Sequence, residues 1–322
     1  MPTGQLWVTN SLGGYLGTPK LSEKLRFAVT PLMKFRQFVD IKEAFGKNKN
    51  DKIEFDKISN ISTSGGTLVE TATMPEANFV ITKGTATITE YGNSVPYTGK
   101  LDALAEFDVE NAVNRVLRDD TAKTVDTAVA TQFKDTLAKY VAITSTSGTL
   151  TTNGTAGATS TSNLNAYHVK QVVDQLKKWN VPKYDGENYI CIGSVNALRG
   201  LRDDTATGGW IDAVKYGDPE RLFSGEVGKY GGCRFIEETN VLVNTLGSSY
   251  GEAVIFGADN VVEAVAIPEE LRAKIPTDYG RSRGVAWYAL LGWKIMWCSH
   301  TDSDTVSTAS GWVPRIVHVT SS

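Results

Sequence analysis

About forty consecutive residues, Leu101 to Tyr140, carry a helical apolar stripe, and no other feature limits the architecture of this chain so severely. Leu104, Val109, Val113, Val116 and Leu117, then Val125, Val129, Phe133 and Leu137, recur mostly at spacings of three or four, with occasional slippage. One helix of that length spans roughly 55 to 60 Å, several times an ordinary globular helix. Something flat or elongated must lie beneath it. The stripe keeps no strict heptad, which favours packing on a sheet over a coiled coil, and Arg118 to Thr121 is a candidate point for a break.

The flanks of the stripe are extended. Residues 51 to 97 alternate in short runs, TLVETAT and FVITKGTATITEY around MPEAN, the pattern of two strands joined by a turn or short loop. Such a ribbon is marginal alone, and it has few large apolar side chains for a private core. Its fate is to lie on another surface, of this chain or of a neighbour. Residues 1 to about 45 are punctuated by Gly and Pro and carry Phe27, Phe35, Phe38 and Phe45 without a sustained period. They read as an arm whose aromatics anchor elsewhere. After the stripe, residues 144 to 163 collapse to Thr, Ser, Gly, Ala and Asn, a linker that marks a domain boundary.

A helix through Val169, Val172, Val173, Leu176 and Trp179, stopped by Pro182, is followed by the strand NYICIG and a helix opening near Ser194. That alternation suggests a small mixed sheet with helices packed on it. The last third is strands and loops: CRFIEET, AVIFG and VVEAVAI around GADN, GVAWYALLGWKIMW, and WVPRIVHV. Trp287, Trp293 and Trp297 would share one face of a regular strand, and that face must be buried.

Composition excludes several classes. With 322 residues, 41% hydrophobic and 21% charged, the chain suffices for about two folded domains and is not disordered. The net charge is −3, yet the first sixty residues hold ten Lys and Arg against six Asp and Glu, leaving 23 against 30 in the rest. A mildly basic leading segment can lie against a polyanion, without the asymmetry of a specific nucleic-acid binder. Cys191, Cys233 and Cys298 are widely spaced and read as buried small hydrophobes in a reducing compartment. The start MPTGQLWVTN lacks the pattern of a signal peptide, and no window approaches about 18 apolar residues. Synthesis in the cytosol without membrane insertion is expected.

Candidate chemistry is sparse. His168, His300 and His318 form no HxxxH or HExxH pattern, and no paired CxxC is present. There is no GxSxG elbow, and Ser194 reads as a helix N-cap rather than a nucleophile. GEVGKYGG lacks the P-loop pattern and precedes a strand, so it reads as a tight loop between strands. Arg118 with Asp119 and Asp120, and Arg202 with Asp203 and Asp204, are helix-end charges equally suited to ion pairs between subunits. No catalytic residue, cofactor site or metal site is expected. The pattern fits a protein that works through surfaces, with an α/β enzyme of unrecognised active site, or a Thr-rich adhesin or tube protein, as the rival readings.

The order of elements, from arm through two-stranded loop, spine helix and α/β region to long closing strands, resembles the major capsid proteins of tailed double-stranded DNA bacteriophages. Their α+β fold is named after phage Hong Kong 97. DPERLFSGEVGKYGGCRFIEETN, residues 218 to 240, is similar to a segment of the N4-like capsid branch, as is TDYGRSRGVAWYALLGWKIMWCSH with WVPRIVHV. By order of elements the resemblance covers nearly the whole chain, by local sequence about a quarter; it departs at 144 to 163 and in the spacer 301 to 311.

The resemblance implies an N-terminal arm at 1–49, an extended β-loop at 50–97, and a peripheral domain with spine helix and linker at 98–163. An axial domain follows at 164–260, and 261–322 supplies peripheral strands and the C-terminus. It implies self-assembly into hexamers and pentamers of an icosahedral shell enclosing double-stranded DNA that is contacted non-specifically. Portal, scaffolding and decoration proteins are the implied partners, without a membrane, cofactor or enzymatic activity. The shell would be that of a virion, its subunits made in the host bacterial cytoplasm. Intersubunit contacts are expected at Phe27, Phe35, Leu68, Phe79, Arg118, Asp119, Arg202 and Asp203. Lys20, Lys24, Lys34 and Arg36 are expected to pair with acidic neighbours rather than face DNA, and no Lys–Asn cross-linking motif is visible.

Overall fold

A computed structural model describes residues 30–42, 50–61, 65–71, 73–105, 108–203, 228–242, 251–276, 278–302 and 304–322. In chain order, a short strand β1 (Asp40–Lys42) precedes the ribbon strands β2 (Lys52–Ile58) and β3 (Ile81–Thr87), and β4 (Thr89–Thr98) leads into helices α1 (Gly99–Leu104) and α2 (Val109–Lys134). The hairpin β5 (Ala138–Thr144) and β6 (Ser147–Thr151) is followed by α3 (Ala166–Lys178), β7 (Tyr189–Ser194) and α4 (Val195–Arg202). The strands β8 (Gly228–Tyr230), β9 (Cys233–Glu238), β10 (Gly251–Phe256), β11 (Val261–Ala273), β12 (Ser282–Ile295) and β13 (Ile316–Ser321) complete the described chain.

The long apolar stripe is not one helix. Ala105 turns extended after α1, and Asp108 caps α2, its carboxylate accepting the Asn111 amide at 3.1 Å. At the other end, the tyrosine and β-branched residues of AKYVAIT leave the helix and pair as β5 with β13 and β6. What remains is 26 residues, about 39 Å long. No break occurs at Arg118 to Thr121; the Thr121 hydroxyl instead donates to the Leu117 carbonyl at 2.7 Å within a continuous helix. Leu117, Val125, Val129 and Phe133 form its buried stripe.

Seven strands in the order β6-β5-β13-β10-β7-β9-β8 make a mixed sheet that is covered on both faces. Along β7 and β10, Ile190, Ile192, Val254 and Phe256 pack with α2, whereas Tyr189, Cys191, Ala253 and Ile255 pack with α3 and α4. The second sheet, β1-β11-β12-β4, is built on the long β11–β12 hairpin. The alternate residues Val285, Trp287, Ala289, Leu291, Trp293 and Ile295 of β12 are all buried in the core shared with α2. Trp297 does not join that face, because the strand has ended at Ile295; its ring meets Trp312 edge-on at 5.1 Å.

Sheet membership crosses the segments of the sequence. The Thr/Ser/Gly linker contributes the edge strand β6, and the last strand, β13, inserts between β5 and β10. The Gly231–Gly232 turn, with φ of 59° and 84°, closes the two-residue β8–β9 hairpin; the turn is shorter than the GEVGKYGG reading, because Gly228–Tyr230 are strand β8. The ribbon pairing differs from expectation. The described residues of TLVETAT form no ladder, and the partner of β3 is β2, in the register Ile53↔Ala86 and Phe55↔Gly84. The alternation of KIEFDKI puts Ile53 and Phe55 on one face, and the Phe55 ring lies across Gly84, where a Cβ would overlap it.

Candidate assembly interface

The ribbon is two things in sequence. At its root, Ile53, Phe55 and Ala86 bury themselves against Val262 and Ala264 of β11. Next along the same face, Lys57 is only 5% exposed, its Nζ 3.6 Å from Asp304 and over the rings of Phe55 and Trp312. Beyond Ser59, itself buried, no described residue is buried until Gly84. Ile58, Ile61, Leu68, Val69, Met74, Phe79, Val80 and Ile81 are all exposed, Leu68 at 62% and Phe79 at 53%. The only charges in 59–81 are Glu70 and Glu76. So dense a run of exposed apolar side chains makes this stretch a candidate interaction surface.

The other expected contacts divide. Phe27 lies outside the described residues. Phe35 is a correction: its ring is fully buried in its own chain, 5.3 Å from Phe133, and its amide donates to buried Asp126 at 2.8 Å. Phe38 likewise meets Tyr184 and Phe256. The aromatic socket formed by Phe133 and Phe256 captures this part of the arm internally. Arg36 pairs with Glu263 at 3.0 Å and with Glu269, as the reading of the basic residues anticipated; Lys20 and Lys24 lie outside the described residues.

Arg118 is exposed and Asp119 half-buried on α2. The engaged acid there is Asp120, which accepts the Trp287 indole N–H at 2.9 Å and the Asn93 amide at 3.0 Å. Arg202 pairs with Glu237 at 3.1 Å and Asp203 with Arg199 at 3.6 Å, both within the chain. Leu68 and Phe79 are thus the expected contacts with the most unpartnered apolar surface.

A second exposed apolar patch escaped the sequence reading. At the turn between β11 and β12, Ile275 is 83% exposed and Tyr279 fully so. Leu101 and Leu104 of α1 lie at the same end of the molecule, where the Gly99 amide donates to the Arg281 carbonyl at 2.9 Å and Arg283 meets Asp102 at 2.7 Å. The available signal was an Ile and a Tyr inside the turn-rich run KIPTDYG, where no core can use them.

Titratable groups gather in the interior. Glu252, at the α2 end of the seven-stranded sheet, accepts from Lys134 at 2.6 Å and faces His318 at 3.7 Å. Burial opposes its charge, but His318 and Lys134 hold its carboxyl down at about 2. Burial brings nearby Lys139 down to about 8, where its ammonium donates to the Lys134 carbonyl. Ser194 caps α4, accepting the Ala197 amide at 3.2 Å and the Glu252 amide at 3.1 Å. The three cysteines are free and buried, and burial pushes the Cys298 thiol up to about 12. Among the described residues no group of three or more His, Cys, Asp or Glu is placed to hold a metal, and no helix is long and apolar enough to cross a membrane.

Solved structures share this architecture end to end. A chain from the acid-stable capsid of Helicobacter pylori bacteriophage KHP30 superposes with a TM-score of 0.67 at 13% identity, covering 98% of both chains. The fold is that of phage capsid chains. A chain from Mycobacterium phage Che8 gives 0.64 at 14% identity over 96% of this chain and 98% of that one. A chain of the capsid of Ralstonia phage GP4 gives 0.61 at 15% identity over 98% and 97%. No family model and no curated protein matches the sequence.

Proposed function

We propose that this chain is the major capsid protein of a tailed double-stranded DNA bacteriophage, with the Hong Kong 97-type fold and of the N4-like branch. The observation that carries the proposal is the distal ribbon: an apolar surface left exposed among the described residues, on a fold shared end to end with phage capsid chains. Subunits form hexamers and pentamers, in which each ribbon reaches over its neighbour. Such a contact is heterologous and closes into rings, and many repeated weak contacts make a stable shell without one strong joint. Residues 164–260, with α3, α4 and β7 to β10, are the axial unit around the capsomer centre; 98–163, with α2, and 261–322, with β11 to β13, form the peripheral unit. Residues 1–49 latch a neighbour beyond the segment held by Phe35. The shell is part of the virion, encloses DNA through non-specific contacts, and works with portal, scaffolding and decoration proteins.

Electron microscopy of the purified protein, alone and with co-expressed assembly partners, tests the proposal. Closed thin-walled shells, or rings of five or six, are the expected result; a clean monomer under every condition would overturn it.

A further inference from the structure

A ribbon fastened at one point can pivot, and the apolar contact of Ile53 and Phe55 with β11 is one point. A second fastening lies farther out. The segment Asp304–Trp312 runs beside the ribbon and is itself secured to the body: the Asp304 amide donates to the Ser299 carbonyl, the Ser299 amide returns to the Asp304 carboxylate at 3.1 Å, and Trp312 packs on Trp297. Reciprocal backbone bonds between Ser307 and Trp312, both 2.8 Å, close it into a loop. The ribbon touches this loop through the Lys57 ammonium beside Asp304 and Trp312, and through the Asn60 amide donating to the Ser310 carbonyl at 2.8 Å. Between these contacts lies a cleft of about 570 Å³ lined by Lys57, Ser59, Thr82, Asp304 and Trp312. The second fastening is therefore polar and hollow where the first is apolar and packed.

Lys57 occupies the position where the alternation of Ile53 and Phe55 calls for a third apolar residue. A buried ion pair adds little net stability over an apolar side chain, but it rewards one geometry. We propose that the 304–312 loop is a brace that fixes the direction of the ribbon before it meets a neighbour, with Lys57 as the positioning residue. The brace extends the reading of the ribbon as an intersubunit element. A pre-directed ribbon loses less conformational freedom on docking.

Double electron–electron resonance on the unassembled full-length chain tests the brace, with spin labels at Glu70→Cys in the distal loop and Lys178→Cys on α3. The native cysteines are buried. The wild-type background should give one narrow distance. Lys57→Met, which keeps the stem but removes the charge, and the double variant Lys57→Met/Asp304→Asn should give a broadened, shifted distribution with little loss of thermal stability. Lys57→Arg, which keeps a cation there, should restore the narrow distance. If Lys57→Met fails to fold, Asp304→Asn alone should show the broadening. A narrow wild-type distance unchanged in every folded charge-removing variant, or a wild-type distance already broad, overturns the brace. Because no shell is needed, a chain that never assembles can still uphold the brace, and one that assembles can still refute it.

Discussion

The root and the distal loop of the ribbon use the same vocabulary, Thr, Val, Ile and Phe, to opposite ends. At the root, Ile53 and Phe55 alternate inward onto Val262 and Ala264 and become core. Farther along, the side chains of Leu68, Val69, Phe79 and Val80 are each more than half exposed. Alternation specifies which side chains share a face; whether that face is core or interface depends on what lies opposite. Root substitutions should therefore lower the stability of the isolated chain, whereas distal ones should spare it and act on assembly.

The largest effect is expected at Phe55→Ala. Removing a ring that is only 8% exposed should cost about 3 to 5 kcal/mol in urea denaturation. Gly84→Ala attacks the same ring from the facing strand, where the new methyl overlaps it, and should cost about 1 to 3 kcal/mol. A full-stability Phe55→Ala chain would break the contrast, because the root would then be as unsupported as the loop.

Acid sharpens the contrast from the body of the molecule. The folded Glu252 carboxyl sits at about 2, below its ordinary 4.5. The stability this difference contributes is present above pH 4.5 and lost as pH falls toward 2. A pH series of melting temperatures should decline through that window, and Glu252→Gln should flatten the Glu252 part of the decline. The smallest effect on the chain itself belongs to Leu68→Asp, within about 0.5 kcal/mol of wild type by the same denaturation.

Much of the fold was legible where one period dominated a segment. The buried row from Val285 to Ile295 follows directly from alternating large residues, and Ser194 was readable as a cap because a polar residue separates strand from helix. The ends of the long stripe were not legible. AKYVAIT satisfies both helical and strand patterns, and the choice is made by β13, some 180 residues away. Lys57 interrupts the apolar face of KIEFDKI, and the carboxylate that makes that lysine tolerable, Asp304, is some 250 residues away. Phe35 illustrates the same limit: an aromatic in an irregular arm announces an anchor but not whose socket it fills. Of the candidate interface, Leu68 and Phe79 were legible as residues without a local core, while Ile275 and Tyr279 were hidden in a turn.

The most direct measurement is electron microscopy of wild type, Leu68→Asp and Phe79→Asp under identical assembly conditions, alongside circular dichroism of each unassembled chain. Closed particles from wild type and none from either variant, with unchanged spectra, are the expected result. Normal particles from both variants would contradict the assignment of the distal ribbon as the surface that joins subunits.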